Sequence, residues 1–344
     1  MKSYTQPGGQ GVGRSKLFLN PAALGAEHPA APKPDAEDIN SAGDRTNYTT
    51  LWRRPDIGSM YRNTEHITAP TTQPLIDYCG LTDEKVASLE KPVEVLDMCC
   101  GAGVVSAHIH AMLRRQGREN DGVVRITCAD SSEAQLEHVR KRIQEEKWAD
   151  TKAVHADIAS LPFESNTFDY VITGMAIMVV AEPYAGLSEL QRVLKPGGRL
   201  STSTWAVEGW VQATRGAVAD LRLPGQEKLV PWPQESHHLT RTWSPGAWDD
   251  PYFTSAMYNA AGLADIDSMV LTKWIPFESA EHFRTVLSAY EVAITERYWS
   301  KEQKEKLRPL LAQLILDHIR KEYGGGPFTI ERSVVLASGT KPLA

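Results

Sequence analysis

Val93-Glu94-Val95-Leu96-Asp97-Met98-Cys99-Cys100-Gly101-Ala102-Gly103 decides the reading of this chain. An apolar run ends in an acid, and the acid runs straight into a turn of small residues. Past the turn, Val105, Ile109, Met112 and Leu113 recur at helical spacing and predict a helix over 104–116. The unit is strand, tight loop, helix, which brings backbone N–H groups against a ligand. Gly101 and Gly103 permit the bend and a close approach. Alone, a Gly-x-Gly also fits a dinucleotide site or a purely structural turn. The dinucleotide reading wants a third spaced glycine, where Cys99 stands, and would set Asp97 beside two phosphates. A cationic amino-acid moiety suits Asp97 better.

The rhythm continues outward. Residues 123–129 alternate into a second strand ending at Asp130, and Ser131 or Ser132 can cap the helix after it. Residues 152–156 form a third strand ending at Asp157, and 168–173 a fourth. Pro183 opens a helix that Lys195-Pro196-Gly197-Gly198 ends, and 199–205 is a fifth strand. Five such alternations imply parallel strands with right-handed crossovers in a doubly wound α/β sheet. Its ligands sit beyond the carboxyl ends of the strands, where Asp97, Asp130 and Asp157 fall. Asp130 can accept two ribose hydroxyls, or serve only as a helix cap. Asp157 can accept from an exocyclic amine, or serve only as a turn residue. Upstream, 70–80 reads as a helix with Pro70 near its start and Gly80 as its stop. Downstream, 206–247 shows no clear period. Pro251 starts a helix, 266–274 reads as a strand, 279–296 and 301–323 as helices, and 329–337 as a last strand.

Leu96-Asp97-Met98-Cys99-Cys100-Gly101-Ala102-Gly103 resembles the glycine-rich motif of class I S-adenosylmethionine-dependent methyltransferases, small-molecule and fungal natural-product types included. Asp130 matches the family's ribose-binding acid. Asp157-Ile158 with Phe168-Asp169-Tyr170-Val171 matches its adenine-side motif and fourth strand, and Leu194-Lys195-Pro196-Gly197-Gly198 the segment before the fifth. The resemblance implies a seven-stranded, mostly parallel sheet whose last strand is antiparallel. It implies S-adenosylmethionine as cofactor, no metal, and contacts from Asp97, Cys99, Gly101, Gly103, Asp130, Ser131, Asp157, Ile158, Gly174 and Met175. Cys99 departs from the family's first glycine as a tolerated variant.

The expected organisation is a disordered tail over 1–47, a helical cap over 48–90 and the cofactor core over 91–205. A lid insertion over 206–250, a core helix and strand over 251–274, a helical lid over 275–326 and the final strand over 327–344 complete it. Three segments are thus available to cover an acceptor, and Tyr61, Arg62 and Trp205 are the substrate-side candidates. Trp205 ends a sheet strand, although lid tryptophans also pack lid cores. No residue presents itself as the base; His237, His238 and His282 are the weak candidates.

The expected activity is methyl transfer to an O, S or N atom of a small hydrophobic metabolite, in secondary metabolism. A protein or RNA methyltransferase, and a protein of this fold that binds the cofactor without methylating, are the alternatives. With 37 Lys and Arg against 43 Asp and Glu, the net charge of −6 speaks against a general nucleic-acid binder. No apolar run approaches the roughly 20 residues that span a bilayer. Cys79, Cys99, Cys100 and Cys128 lack disulfide or zinc spacing, so reduced thiols and a cytoplasmic setting are expected. Residues 1–20 lack acids, a faint transit-peptide trait beside the plainer reading of a tail.

Overall fold

Val95, Leu96, Asp97 and Met98 are buried in succession. A strand with no exposed alternate positions has both faces covered, as parallel sheets with flanking helices require. The computed structural model describes residues 57–343 except Thr242, with side chains from Asn63 onward. The expected tail over 1–47 and the start of the cap lie outside the described residues.

In chain order the elements are α1 (Ile57–Tyr78), α2 (Asp83–Ala87), β1 (Val93–Met98), α3 (Val104–Arg115), β2 (Val124–Asp130), α4 (Glu133–Glu145), β3 (Thr151–His155), β4 (Phe168–Gly174), α5 (Pro183–Val193), β5 (Leu194–Glu208), α6 (Gly209–Arg215), α7 (Ser236–Thr240), α8 (Pro251–Ala260), β6 (Ala264–Phe277), α9 (Ala280–Tyr298), α10 (Lys301–Tyr323) and β7 (Phe328–Thr340). The seven strands lie in the order β3-β2-β1-β4-β5-β7-β6. β1 pairs in parallel with β2 and β4, β2 with β3, and β4 with β5. β7 runs antiparallel to both β5 and β6. The strand order reverses between β1 and β4, and ligands of such sheets bind at that switch point. The doubly wound, mostly parallel sheet expected from the sequence is therefore the observed one.

Three expectations are corrected. The alternation lapses once, because 156–167 joins β3 to β4 without a helix. β5 is longer than 199–205: it starts at Leu194, which pairs with Phe168 of β4, and runs to Glu208, held there by its pairing with β7. The upstream helix starts at Ile57, with Pro70 and Pro74 inside it. An interior proline removes a ladder hydrogen bond, which is why Pro70 reads as a start.

Tertiary anchors hold α1 instead. Ile67, Leu75, Ile76 and Cys79 are buried, each large apolar side chain contributing about 1.5–3 kcal/mol. Ser201 Oγ donates to Leu75 O at 3.1 Å, and His66 Nε2 lies 2.6 Å from Pro276 O. Arg332 Nη1 donates to Ile67 O. That arginine is itself buried, and its Nε meets Glu208 Oε1 at 2.8 Å, where Trp210 Nε1 donates to Oε2 at 2.7 Å. One buried ion pair thus fastens α1 to the β5–β7 ladder.

Candidate functional site

The site is built where β1 stops. Asp97 is 1% exposed, and its Oδ2 accepts from Ser106 N at 3.1 Å and Ser106 Oγ at 2.7 Å. Its Oδ1 is buried without a hydrogen-bond partner, and Asp97 lines a cavity of about 200 Å³. Burial pushes the carboxyl up to about 7; the Ser106 bonds oppose that shift, and the charge of Asp130 adds to it.

The loop after β1 bends through three left-handed residues, Cys99 (φ 56°), Gly101 (φ 52°) and Gly103 (φ 81°). A Cβ at Gly103 would also lie 3.3 Å from the Trp148 ring. Gly101 N donates to Asp130 Oδ2 at 3.0 Å and Ser132 N to Asp130 Oδ1 at 2.8 Å. Asp130 therefore ties the loop to the head of α4. Burial raises its carboxyl above the usual range, against those backbone bonds. Ser132 caps α4 by accepting from Gln135 N, which leaves Ser131 facing the cavity. Asp157 lies two residues past the end of β3, exposed, with Oδ1 accepting from Ala159 N at 3.0 Å.

At the end of β4, Met175 also takes a left-handed backbone (φ 54°), and its N–H meets Ser203 O at 2.9 Å. Asp97, Cys99, Gly101, Asp130, Ser131, Asp157, Ile158, Gly174 and Met175 all line the one cavity. Gly103 does not; it sets the start of α3. Burial and the surrounding acids raise the Cys99 thiol well above its ordinary value, so it is no thiolate nucleophile.

The other expected residues stand elsewhere. Trp205 is buried but does not line the cavity; its ring packs against Tyr290, centroids 6.0 Å apart. His237 and His238 meet edge-to-face in α7, ring centroids 4.4 Å apart, and His238 Nδ1 accepts from Glu235 N. His282 Nδ1 accepts from Glu278 N at the start of α9, and its ring packs on His66 at 4.6 Å. None of the three lines the cavity, because each serves a helix N-terminus or packs beside one. Tyr61 and Arg62 lie in α1, with side chains outside the described residues. No residue of 206–250 or 275–326 is among those lining the cavity.

Sequence reasoning missed the wall that α1 supplies. Thr68, Thr71, Thr72 and Leu75 line the cavity. The three hydroxyls donate within the helix: Thr68 to Thr64 O, and Thr71 and Thr72 to Thr68 O, at 3.0–3.2 Å. Their remaining lone pairs can accept from a ligand. Helical spacing of these threonines is a usable signal, hidden by starting the helix at Pro70. Gln135 was missed too: it is 2% exposed, lines the cavity beside Ser131, and its Oε1 has no partner. Glu182, before α5, stands among the lining residues as well.

Comparisons with known proteins point to one family. A family model described as a methyltransferase domain matches residues 95–198. Methyltransferase tpcH of Aspergillus fumigatus is 26% identical over 266 residues, covering 76% of this chain and 90% of that protein. The acetylaranotin bis-thiomethyltransferase of Aspergillus terreus is 25% identical over 293 residues, covering 85% and 97%. A demethylmenaquinone methyltransferase of Clavibacter sepedonicus is 32% identical over 183 residues, covering 53% and 69%. With a parallel sheet reversed only at β7 and acids at the switch point, the chain belongs to the class I S-adenosylmethionine-dependent methyltransferases.

Proposed function

We propose that the cavity at the ends of β1, β2 and β4 binds S-adenosylmethionine, and that the chain transfers its methyl group to an O, S or N atom of a small apolar metabolite held against α1. The observation that carries this reading is the unpartnered, buried Oδ1 of Asp97 inside the cavity. A buried acceptor without a donor costs about 1–3 kcal/mol unless a ligand supplies one. The cofactor's ammonium would supply such a donor and a complementary charge. The rest of the donor set agrees: Asp130 for the ribose hydroxyls, Asp157 and Ile158 N for the adenine edge. Among the described lining residues there are four acids and no Lys, Arg or His, so the cavity favours a cationic ligand.

When bound, the cofactor supplies a methyl group on a sulfonium. The chain has to hold the acceptor atom about 3 Å from that carbon, opposite the sulfur, which is chiefly a matter of positioning. Leu75, Val105, Met175 and Val179 offer an apolar wall that excludes water, and Thr68, Thr71 and Thr72 offer acceptors to orient a hydroxyl, thiol or amine. The fungal relatives support a natural-product metabolite, and the name of the A. terreus relative puts a thiol among the candidate acceptors. Free cysteines at 79, 99, 100 and 128 support action in the cytoplasm. Among the described residues no helix is long and apolar enough to cross a membrane.

The test is incubation with methyl-labelled cofactor and a panel of apolar phenols, thiols and amines. Label in the organic product is expected. A product formed while all label stays in the cofactor would refute transfer.

A further inference from the structure

Arg142 stands on α4 outside the cavity, yet it holds two of the cavity's walls. Its Nη1 donates to Ala102 O at 2.8 Å and to Glu65 Oε1 at 2.9 Å. Its Nε donates to Glu146 Oε1 at 2.8 Å, which fixes the fork from behind. The guanidinium lies 5.0 Å from the centroid of the Trp148 ring. That ring stacks on His110 and fills the space beside Gly103. The Arg142 side chain is only 15% exposed, so its pair with Glu65 is screened less than a surface pair.

Ala102 is the middle residue of Gly101-Ala102-Gly103, the bend that meets the cofactor. Glu65 lies one helical turn before Thr68, on the helix that forms the acceptor's wall. A planar fork with several donors can serve both at once; an ammonium on a flexible stem cannot do so in the same geometry. The loop between them holds three residues in left-handed backbone, one of them the non-glycine Cys99. Such a conformation is held by its surroundings, and a ligand on the Gly101 side adds to that hold.

We propose that Arg142 is a positioning residue that couples the cofactor loop to α1, so that cofactor binding docks the acceptor wall. The inference rests on the loop being the cofactor site. Coupling is reciprocal: a docked α1 returns to the cofactor the affinity that the cofactor gave to docking.

Backbone hydrogen exchange on the full chain tests it, with and without S-adenosylhomocysteine, in the wild type, Glu65→Gln and Arg142→Lys. Two segments are read: the loop at 99–103, and 58–67 of α1, which precedes the cavity-lining threonines. In the wild type the ligand is expected to slow exchange in both, by about fivefold or more in α1. In Glu65→Gln the loop stays protected and the ligand-dependent slowing of 58–67 is lost. Arg142→Lys, which keeps the charge without the fork, recovers only part of it. Equal slowing of 58–67 in the wild type and Glu65→Gln overturns the coupling. So does a wild type whose loop is protected while 58–67 is unaffected. A wild-type loop that the ligand leaves unprotected would instead overturn the cofactor site itself.

Discussion

Replacing Asp97 by Asn should make the chain more stable and worse at its task. The carboxyl sits at about 7 in the ligand-free chain against an ordinary 3.8. At about 1.36 kcal/mol per tenfold change in proton affinity, that difference is about 4 kcal/mol. Its sign follows from linkage. Between pH 3.8 and about 7 the folded chain holds a proton that the unfolded chain has released. This residue's contribution to stability therefore falls as pH rises through that window, and is flat above it. Asn keeps an oxygen for the two Ser106 donors and never ionises. Expected by calorimetric unfolding is a gain for Asp97→Asn that is absent near pH 4, grows to neutrality and reaches about 6 °C at pH 8, at about 1.5 °C per kcal/mol for a chain of this size. S-adenosylhomocysteine binding should show the converse. Wild-type affinity rises up to tenfold per pH unit until about 7, because the ammonium pairs with the carboxylate. The variant binds roughly 10- to 150-fold more weakly, the loss of a charge-assisted hydrogen bond of about 1.5–3 kcal/mol, with no such pH dependence. Wild-type affinity independent of pH between 5.5 and 8, or an Asn variant that binds as tightly, would refute the reasoning.

Asp130→Ala should cost about 1.5–3 kcal/mol of binding for each ribose bond lost and also release Gly101 N and Ser132 N; calorimetric affinity within threefold of wild type would reject the ribose assignment. Gly103→Ala combines a φ of 81° with a Cβ 3.3 Å from Trp148, and should lower stability by about 1–2 kcal/mol in denaturant titration. Glu208→Gln leaves Arg332 buried without its counter-charge. A loss of about 3–5 kcal/mol is expected by thermal unfolding, with α1 exchanging faster because Ile67 O is held by the same arginine.

Much of the sheet could be read from residues because two signals coincided there: runs buried on both faces, and acids where the strands stop. Asp97, Asp130 and Asp157 needed only strand ends and a topology to fall on one edge. The threonine wall needed more. Two prolines broke the apparent helix, and only packing of Ile67, Leu75 and Ile76 restores it. Gln135 reads as an ordinary polar residue of an amphipathic helix until burial shows its carbonyl without a partner. The histidines failed as bases for the opposite reason. His238 and His282 accept from backbone N–H groups at helix starts, a local role that residue type cannot distinguish from catalysis. The segment 206–247 showed no period because it holds short helices joined by irregular chain.

The hold of Arg332 on Ile67 spans 265 residues of chain. Helix α1 is therefore made well before its anchor, which arrives only with β7. Strands β1 to β5 and the acids at their ends can assemble from local crossovers while α1 still waits. Long-range closures of this kind come late in folding and open early in partial unfolding. The helix that walls the cavity is made before the sheet and fastened after it.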